Sequence, residues 1–299
     1  MKLNELSTKD KNLFDKFLNS TRHELSVYSF QNIYIWKGLF DISWAIIEDS
    51  LCVFFKDKIG CFLYLAPLAG KTNPSVIEKV FKIMDSQNYN REVSRIENAE
   101  EKDLSFYLDL GYNCKNKSGD YICRRVGLAK LEGNKFKAKR ACYNYFVKHN
   151  KFEYLPFSSK YKDECLGLYK LWMSQRKIKS QDRLYRGMLE DSLNCLNILL
   201  DNYLALDVTG RIVKIEQETR AFTFGFRLDK HTFCILYEIT DLSIKGLAQF
   251  IFRRFCAELK DYRQINIMDD SGLENLKKVK LSYQPIRLVP AYIITRKYG

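Results

Sequence analysis

The chain repeats itself at an offset of 171 residues, and no other feature constrains its fold as much. Ile96 recurs as Ile267, Leu110 and Tyr112 as Leu281 and Tyr283, and Tyr121, Ile122 and Arg125 as Tyr292, Ile293 and Arg296. Each half closes alike, with a helical pattern, L-x-Y, a short connection and a strand Y-I-x-x-R. Matching residues in a matching order of elements indicate duplication of one unit.

The elements of the second half follow from periodicity. Helical patterns run over 162–172 and 185–200. Alternation gives short strands at 203–207, 212–218, 221–228 and 232–239, with a turn at Thr209-Gly210. The loop DLSIKG leads into LAQFIFRRFCAELKDY, whose Leu247, Phe250, Ile251, Phe255 and Leu259 share one helical face. A strand at 265–267, a helix at 273–280 and a strand at 291–296 complete the half. The first half shows strands at 42–47, 51–55 and 61–65, a Pro/Gly loop, a helix at 75–85, a strand at 93–96, a helix at 100–109 and a strand at Tyr121. This is the element order of the GNAT (acyl-CoA N-acyltransferase) fold. The expected class is α/β (α+β), as two tandem GNAT-like units. Each has a mixed, mostly antiparallel sheet with helices on both faces. The expected boundaries are 1–130 for the first unit, 131–150 for a basic linker helix and 151–299 for the second unit.

The chain has 299 residues, 46% of them apolar, enough for such cores. No apolar run approaches the roughly 18 residues of a membrane span, and MKLNELSTKDKNLF has no signal-peptide block. A cytoplasmic protein without a transmembrane segment is expected. The nine cysteines form no C-x-x-C pair and the three histidines are scattered, so no metal site is expected. The formal net charge is +13. Residues 124–148 carry eight Lys and Arg against the single acid Glu132, so the excess is local. It suits a polyanionic partner such as RNA or an anionic lipid surface, or simply a solvated lysine-rich face.

Three stretches carry a resemblance. LSVYSFQNIYIWKG (25–38), GDYICRRVGLAKLEGNKFKAKRACYNYF (119–146) and INIMDDSGLENLKKVKLSYQP (265–285) resemble signatures of the bacterial DUF2156 family. That family is similar to the C-terminal domain of phosphatidylglycerol lysyltransferase and akin to the Fem-type aminoacyltransferases. The resemblance implies tandem GNAT-like units and transfer of an amino acid from aminoacyl-tRNA to a lipid or peptide acceptor. Two alternatives stay open: an acyl-CoA-dependent N-acyltransferase, and a non-catalytic module binding nucleic acid or anionic lipid. No cofactor is certain; aminoacyl-tRNA or acyl-CoA is the donor substrate.

Aminoacyl transfer needs a fixed nucleophile, a stabilised oxyanion and a route for a proton. The lysine-x-x-aromatic pattern of the relatives matches Lys280 and Tyr283, so the resemblance gives this lysine a charge-neutralising role. Its structural alternative is a helix-end cation beside a core tyrosine. Among strand glutamates Glu216, Glu218 and Glu238, a groove-facing one could act as base, and Glu238 is the candidate. The loop S-I-K-G-L-A matches only the end of a pyrophosphate-binding turn, naming Lys245, Gly246 and Ala248 for an acyl-CoA. On the basic helix 134–148, Lys135, Lys139 and Arg140 share or adjoin a face and form the candidate nucleic-acid or anion site.

Overall fold

The computed structural model describes residues 2–70, 73–179 and 182–297, which form two compact units. Unit 1 comprises Met1–Asp120, Asp269–Gly272 and Leu288–Gly299; unit 2 comprises Tyr121–Met268 and Leu273–Arg287. The segment 131–150, expected as a linker, lies within unit 2. No helix among the described residues is long and apolar enough to cross a membrane.

Unit 1 begins with β1 (Asn4–Glu5), α1 (Lys11–Leu18) and α2 (Phe30–Ile35). The hairpin β2 (Asp41–Ile47) and β3 (Ser50–Lys56) turns at Glu48 and Asp49, both at positive φ. Then come β4 (Cys61–Leu63), α3 (Pro74–Gln87), β5 (Ile96–Glu100), α4 (Leu104–Asp109) and β6 (Asn113–Arg124). Proline at the first turn and Asn73 accepting the Ser75 N–H start α3 cleanly. Its Val76, Ile77, Val80, Phe81 and Met84 cover one sheet face over Ala45, Phe54, Leu63 and Ile96. Phe14 and Phe30 pack on the other face around Trp44.

Unit 2 holds α5 (Arg125–Lys130), α6 (Lys137–His149), β7 (Glu153–Pro156), α7 (Lys162–Lys179), α8 (Arg183–Asp201), β8 (Thr209–Ile215), β9 (Glu218–Arg227), β10 (Thr232–Thr240), α9 (Leu247–Glu258), β11 (Gln264–Asn266) and α10 (Glu274–Leu281). The last strand, β12 (Arg287–Thr295), runs into unit 1. Strand order in unit 1 is β1-β2-β3-β4-β5-β12 and then the first part of β6. In unit 2 the end of β6 is followed by β11-β10-β9-β8-β7. β4 pairs parallel with β5, and β10 with β11; the other assigned pairings are antiparallel. Both units are mixed α/β with helices flanking a sheet.

The repeat shows in the packing. Tyr112 stacks on Phe81 of α3 at 5.2 Å, and Tyr283 lies 4.4 Å from Phe252 of α9. Phe81 and Phe252 are themselves 171 apart. Arg296 pairs with Asp85 near the end of α3, while Arg125 donates to the carbonyl of Cys256, again 171 residues from Asp85. Yet the closing strands are exchanged: β5 of the first repeat takes β12, and β11 of the second takes β6.

Some expected elements differ. Residues 203–207 form turns, not a strand, because the backbone folds on from α8 through Leu206 N–H to Asn202 O. Thr209-Gly210 begins β8, and the turn falls at Glu216-Gln217, both at positive φ. Val93 ends a 3-10 turn, and Glu100, expected to start a helix, is the buried end of β5.

Candidate functional site

Four side chains of unit 2 converge on one place: Glu238 from β10, Lys139 from α6, and Lys280 and Tyr283 from the end of α10. Strand alternation alone would set Glu238 on the same face as Cys234 and Leu236. A bulge between Ile235 and Tyr237 breaks that alternation, with Leu236 as the extra residue. Ile235 stays in the core formed with α9, while Tyr237 turns to the opposite face and donates to the Ser192 carbonyl of α8 at 2.9 Å. Glu238 therefore joins the α9 face, within the electrostatic reach of Cys256 and Tyr283.

The residue as a whole is half-buried, but its Oε2 is sealed from solvent and has no hydrogen-bond partner among the described residues. Burial pushes the Glu238 carboxyl up to about 8, against the pull of Lys139 and Lys280. Half-buried Lys139 is held below the ordinary lysine range by burial, with Glu238 opposing. Its ammonium sits 3.7 Å from the centre of the Tyr283 ring, a cation–π contact. Tyr283 is buried, which raises its phenol well above the ordinary value.

Lys280 is engaged differently. Its Nζ donates to the Ile267 carbonyl and, at 3.2 Å, to that of Met268. Met268 has φ of 60°, and its N–H donates to Asn266 Oδ1 at 2.7 Å. The lysine thus pins the bend that ends β11, so it braces the site as well as charging it. Lys280, Tyr283 and Glu238, expected as one set, lie together.

The other expected sites do not assemble as drawn. Lys135 is exposed in a 3-10 turn (Asn134–Phe136), so it does not continue the helical face of Lys139. Arg140 donates to the Leu131 carbonyl and, at 2.6 Å, to that of Gly133, closing the turn before α6. Lys139 points inward because Lys139, Cys142, Tyr143 and Phe146 follow i, i+3, i+4, i+7 spacing. That spacing was the available signal for its place in the cluster. Gly246 is buried at φ 85°, and a Cβ there would overlap the Cys142 carbonyl oxygen. Helix α6 therefore lies against the turn expected to cradle a pyrophosphate. Lys245 stands over the Tyr145 ring at 4.5 Å and Ala248 is half-buried in the first turn of α9. Glu216 is an exposed turn residue, and Glu218 pairs with Arg220. All nine cysteines are free thiols, and burial pushes Cys123 up to about 12, far from a thiolate.

Residues 19–295 match the family described as phosphatidylglycerol lysyltransferase, C-terminal. The chain belongs to that family. A comparison with curated proteins finds no match. Among solved structures, a conserved protein of unknown function from Bacteroides thetaiotaomicron is 27% identical, with a TM-score of 0.88, over 99% of this chain and 100% of that one. L-PGS from Bacillus licheniformis is 16% identical, with a TM-score of 0.68, over 99% and 94% of the two chains. FemX is 10% identical, with a TM-score of 0.63, over 98% and 97%. At those identities L-PGS and FemX share the fold with this family member, and the likeness shows the fold alone.

Proposed function

We propose that this chain is an aminoacyltransferase built from two GNAT-like units. It would move an amino acid from aminoacyl-tRNA to an amine or hydroxyl of a lipid or peptide, with the chemistry in unit 2. The observation that carries the reading is the convergence of Glu238, Lys139, Lys280 and Tyr283. Attack on an ester carbonyl builds negative charge on its oxygen, and cations held in a partly desolvated place stabilise that charge. The repeat supplies an internal comparison. At the same offset unit 1 has Pro67 against Glu238 and Asp109 against Lys280, keeping only Tyr112 against Tyr283.

The donor choice rests on two further features. The packing of α6 on Gly246 argues against an open pyrophosphate cradle and so against acyl-CoA. The exposed Arg124, Lys135, Lys137 and Lys148 offer charge to an RNA backbone. FemX and L-PGS, which share the fold, support the class of reaction.

The test incubates the purified chain with tRNA carrying radiolabelled amino acids and with labelled acyl-CoA, each against lipid and peptide acceptors. Label should pass from charged tRNA, and Lys139→Ala should slow transfer about 10²–10³-fold, as loss of one oxyanion donor does elsewhere. Transfer from acyl-CoA alone would replace the donor. Transfer from neither, with tRNA still bound, would leave a non-catalytic binding module.

A further inference from the structure

We propose that Glu238 works as a neutral acid, its carboxylic O–H and the Lys139 ammonium together binding an anionic oxygen, rather than as the base that removes a proton. The inference rests on the unit 2 site described above and deepens it. It assigns the site a ligand class, an oxyanion such as a tetrahedral ester adduct, and gives Lys139 a place in contact with it.

Four titratable side chains face Glu238. From α6 comes Lys139, from α9 Cys256, and from the end of α10 Lys280 and Tyr283. The thiol and the phenol are both raised well above their ordinary values by burial, so they are neutral. Only two cations remain as charges. An ionised carboxylate beside two ammonium groups would draw one of them into an ion pair. Here neither lysine hydrogen-bonds Glu238 Oε2. Lys280 is turned to the Ile267 and Met268 carbonyls, and Lys139 lies on the face of the Tyr283 ring. Glu238 Oε2 is left sealed and without a partner among the described residues.

That arrangement suits an uncharged carboxyl group, and burial pushing the carboxyl to about 8 agrees with it. A protonated carboxyl can donate one hydrogen bond, whereas an ionised one only accepts. Lys139 has no hydrogen-bond acceptor among the described residues, and its nearest defined contact is a ring face. Two donor groups therefore share one place with their hydrogen-bonding capacity unspent. An anionic oxygen satisfies both; an ammonium awaiting deprotonation, which has no lone pair to accept with, satisfies neither.

The test uses inorganic sulfate, whose charge is constant from pH 6 to 9.5, and the full chain at low ionic strength. Calorimetry should show sulfate binding of constant affinity below about pH 7. Above about pH 8 the affinity should fall roughly tenfold per pH unit, since one proton must be bound for the anion to bind. Glu238→Gln keeps an N–H donor and cannot ionise, so it should bind as well and lose that fall. Glu238→Ala and Lys139→Ala should each weaken binding tenfold or more at pH 7, with thermal melts confirming folded variants. A fall that persists in Glu238→Gln would belong to Lys139 and overturn the proposal. So would Glu238→Gln binding as poorly as Glu238→Ala, or no sulfate binding at all. Sulfate binding needs no turnover. A chain that binds sulfate in this pattern but transfers nothing keeps the inference and loses the transferase reading. If transfer is found, its rate should decline as pH rises through about 8, where a base would make it climb.

Discussion

Lys280 and Glu238 make opposite contributions to stability, and each can be measured without an assay for function. Lys280 donates to two carbonyls at a bend where Met268 sits at φ 60°. A helix-end lysine interacting only with the dipole contributes typically 0.3–1 kcal/mol. Hydrogen bonds from a charged donor contribute more, about 1.5–3 kcal/mol. Lys280→Ala should therefore lower unfolding free energy by roughly 2 kcal/mol, read by urea denaturation, and a loss below about 0.5 kcal/mol would show the bend holds itself. Glu238 costs stability instead. Its folded-state value near 8 lies above the ordinary 4.5, so the folded state holds a proton that the unfolded chain has released. The penalty is absent below about pH 4.5, grows between 4.5 and 8, and is constant above. Glu238→Gln should match the parent at pH 4 and be more stable at pH 8, by up to about 3 kcal/mol once partial exposure is allowed for. Equal stability of the two proteins at both pH values would mean the carboxyl is not perturbed.

At the scale of elements, α6 is the part whose role changed most between sequence and structure. Its cation count suggested an exposed basic face, and the exposed Lys137 and Lys148 fit that. Its inner stripe instead delivers Lys139 to the site and Phe146 to a core with Leu247, Phe250 and Ile251 of α9. Close approach of the two helices needs Gly246, both for its positive φ and because a Cβ would overlap the Cys142 carbonyl. Gly246→Ala should destabilise the chain by about 2–4 kcal/mol, within the range of severe single substitutions. Hydrogen exchange should show α6 losing protection before the sheet does. Uniform loss across unit 2 would mean that α6 does not move independently. Helices and most strands were legible because their apolar spacing is local. Two kinds of feature were not. Hairpins at Glu48-Asp49 and Glu216-Gln217 place ordinary acidic and amide residues at positive φ, without the Asn-Gly or Asp-Gly that announces such turns. The bulge at Leu236, which turns Glu238 toward the lysines, carries no glycine or proline to mark it. The lysine–tyrosine pattern and a strand glutamate could be picked out from sequence, but their meeting with Lys139 depends on that bulge.

For the whole molecule, sequence halves and structural units do not coincide, and this yields the sharpest stability prediction. Periodicity reveals that a unit is repeated, but strand partners are set by long-range pairing that no local pattern encodes. The closing strand of the second repeat, β12, pairs with β5 and carries Ile294 into the unit 1 core, against Val76, Phe81 and Ile96. Its counterpart 171 residues earlier, Cys123 on β6, lies in the unit 2 core with Phe252, Phe255 and Tyr283. Both are fully buried. Truncating Ile294 to alanine removes three carbons from a close-packed site and should cost about 2–5 kcal/mol. The location of the damage tests the exchange. Ile294→Ala should expose amides of α3 and β5, near residues 74–100, although the substitution lies in the second repeat. Cys123→Ala, a smaller truncation in the first repeat, should loosen α9 and β11 instead. If each substitution instead loosened the elements of its own repeat, the closing strands would not be exchanged. Tyr112 and Tyr283 would then meet Phe81 and Phe252 in units closed by their own strands.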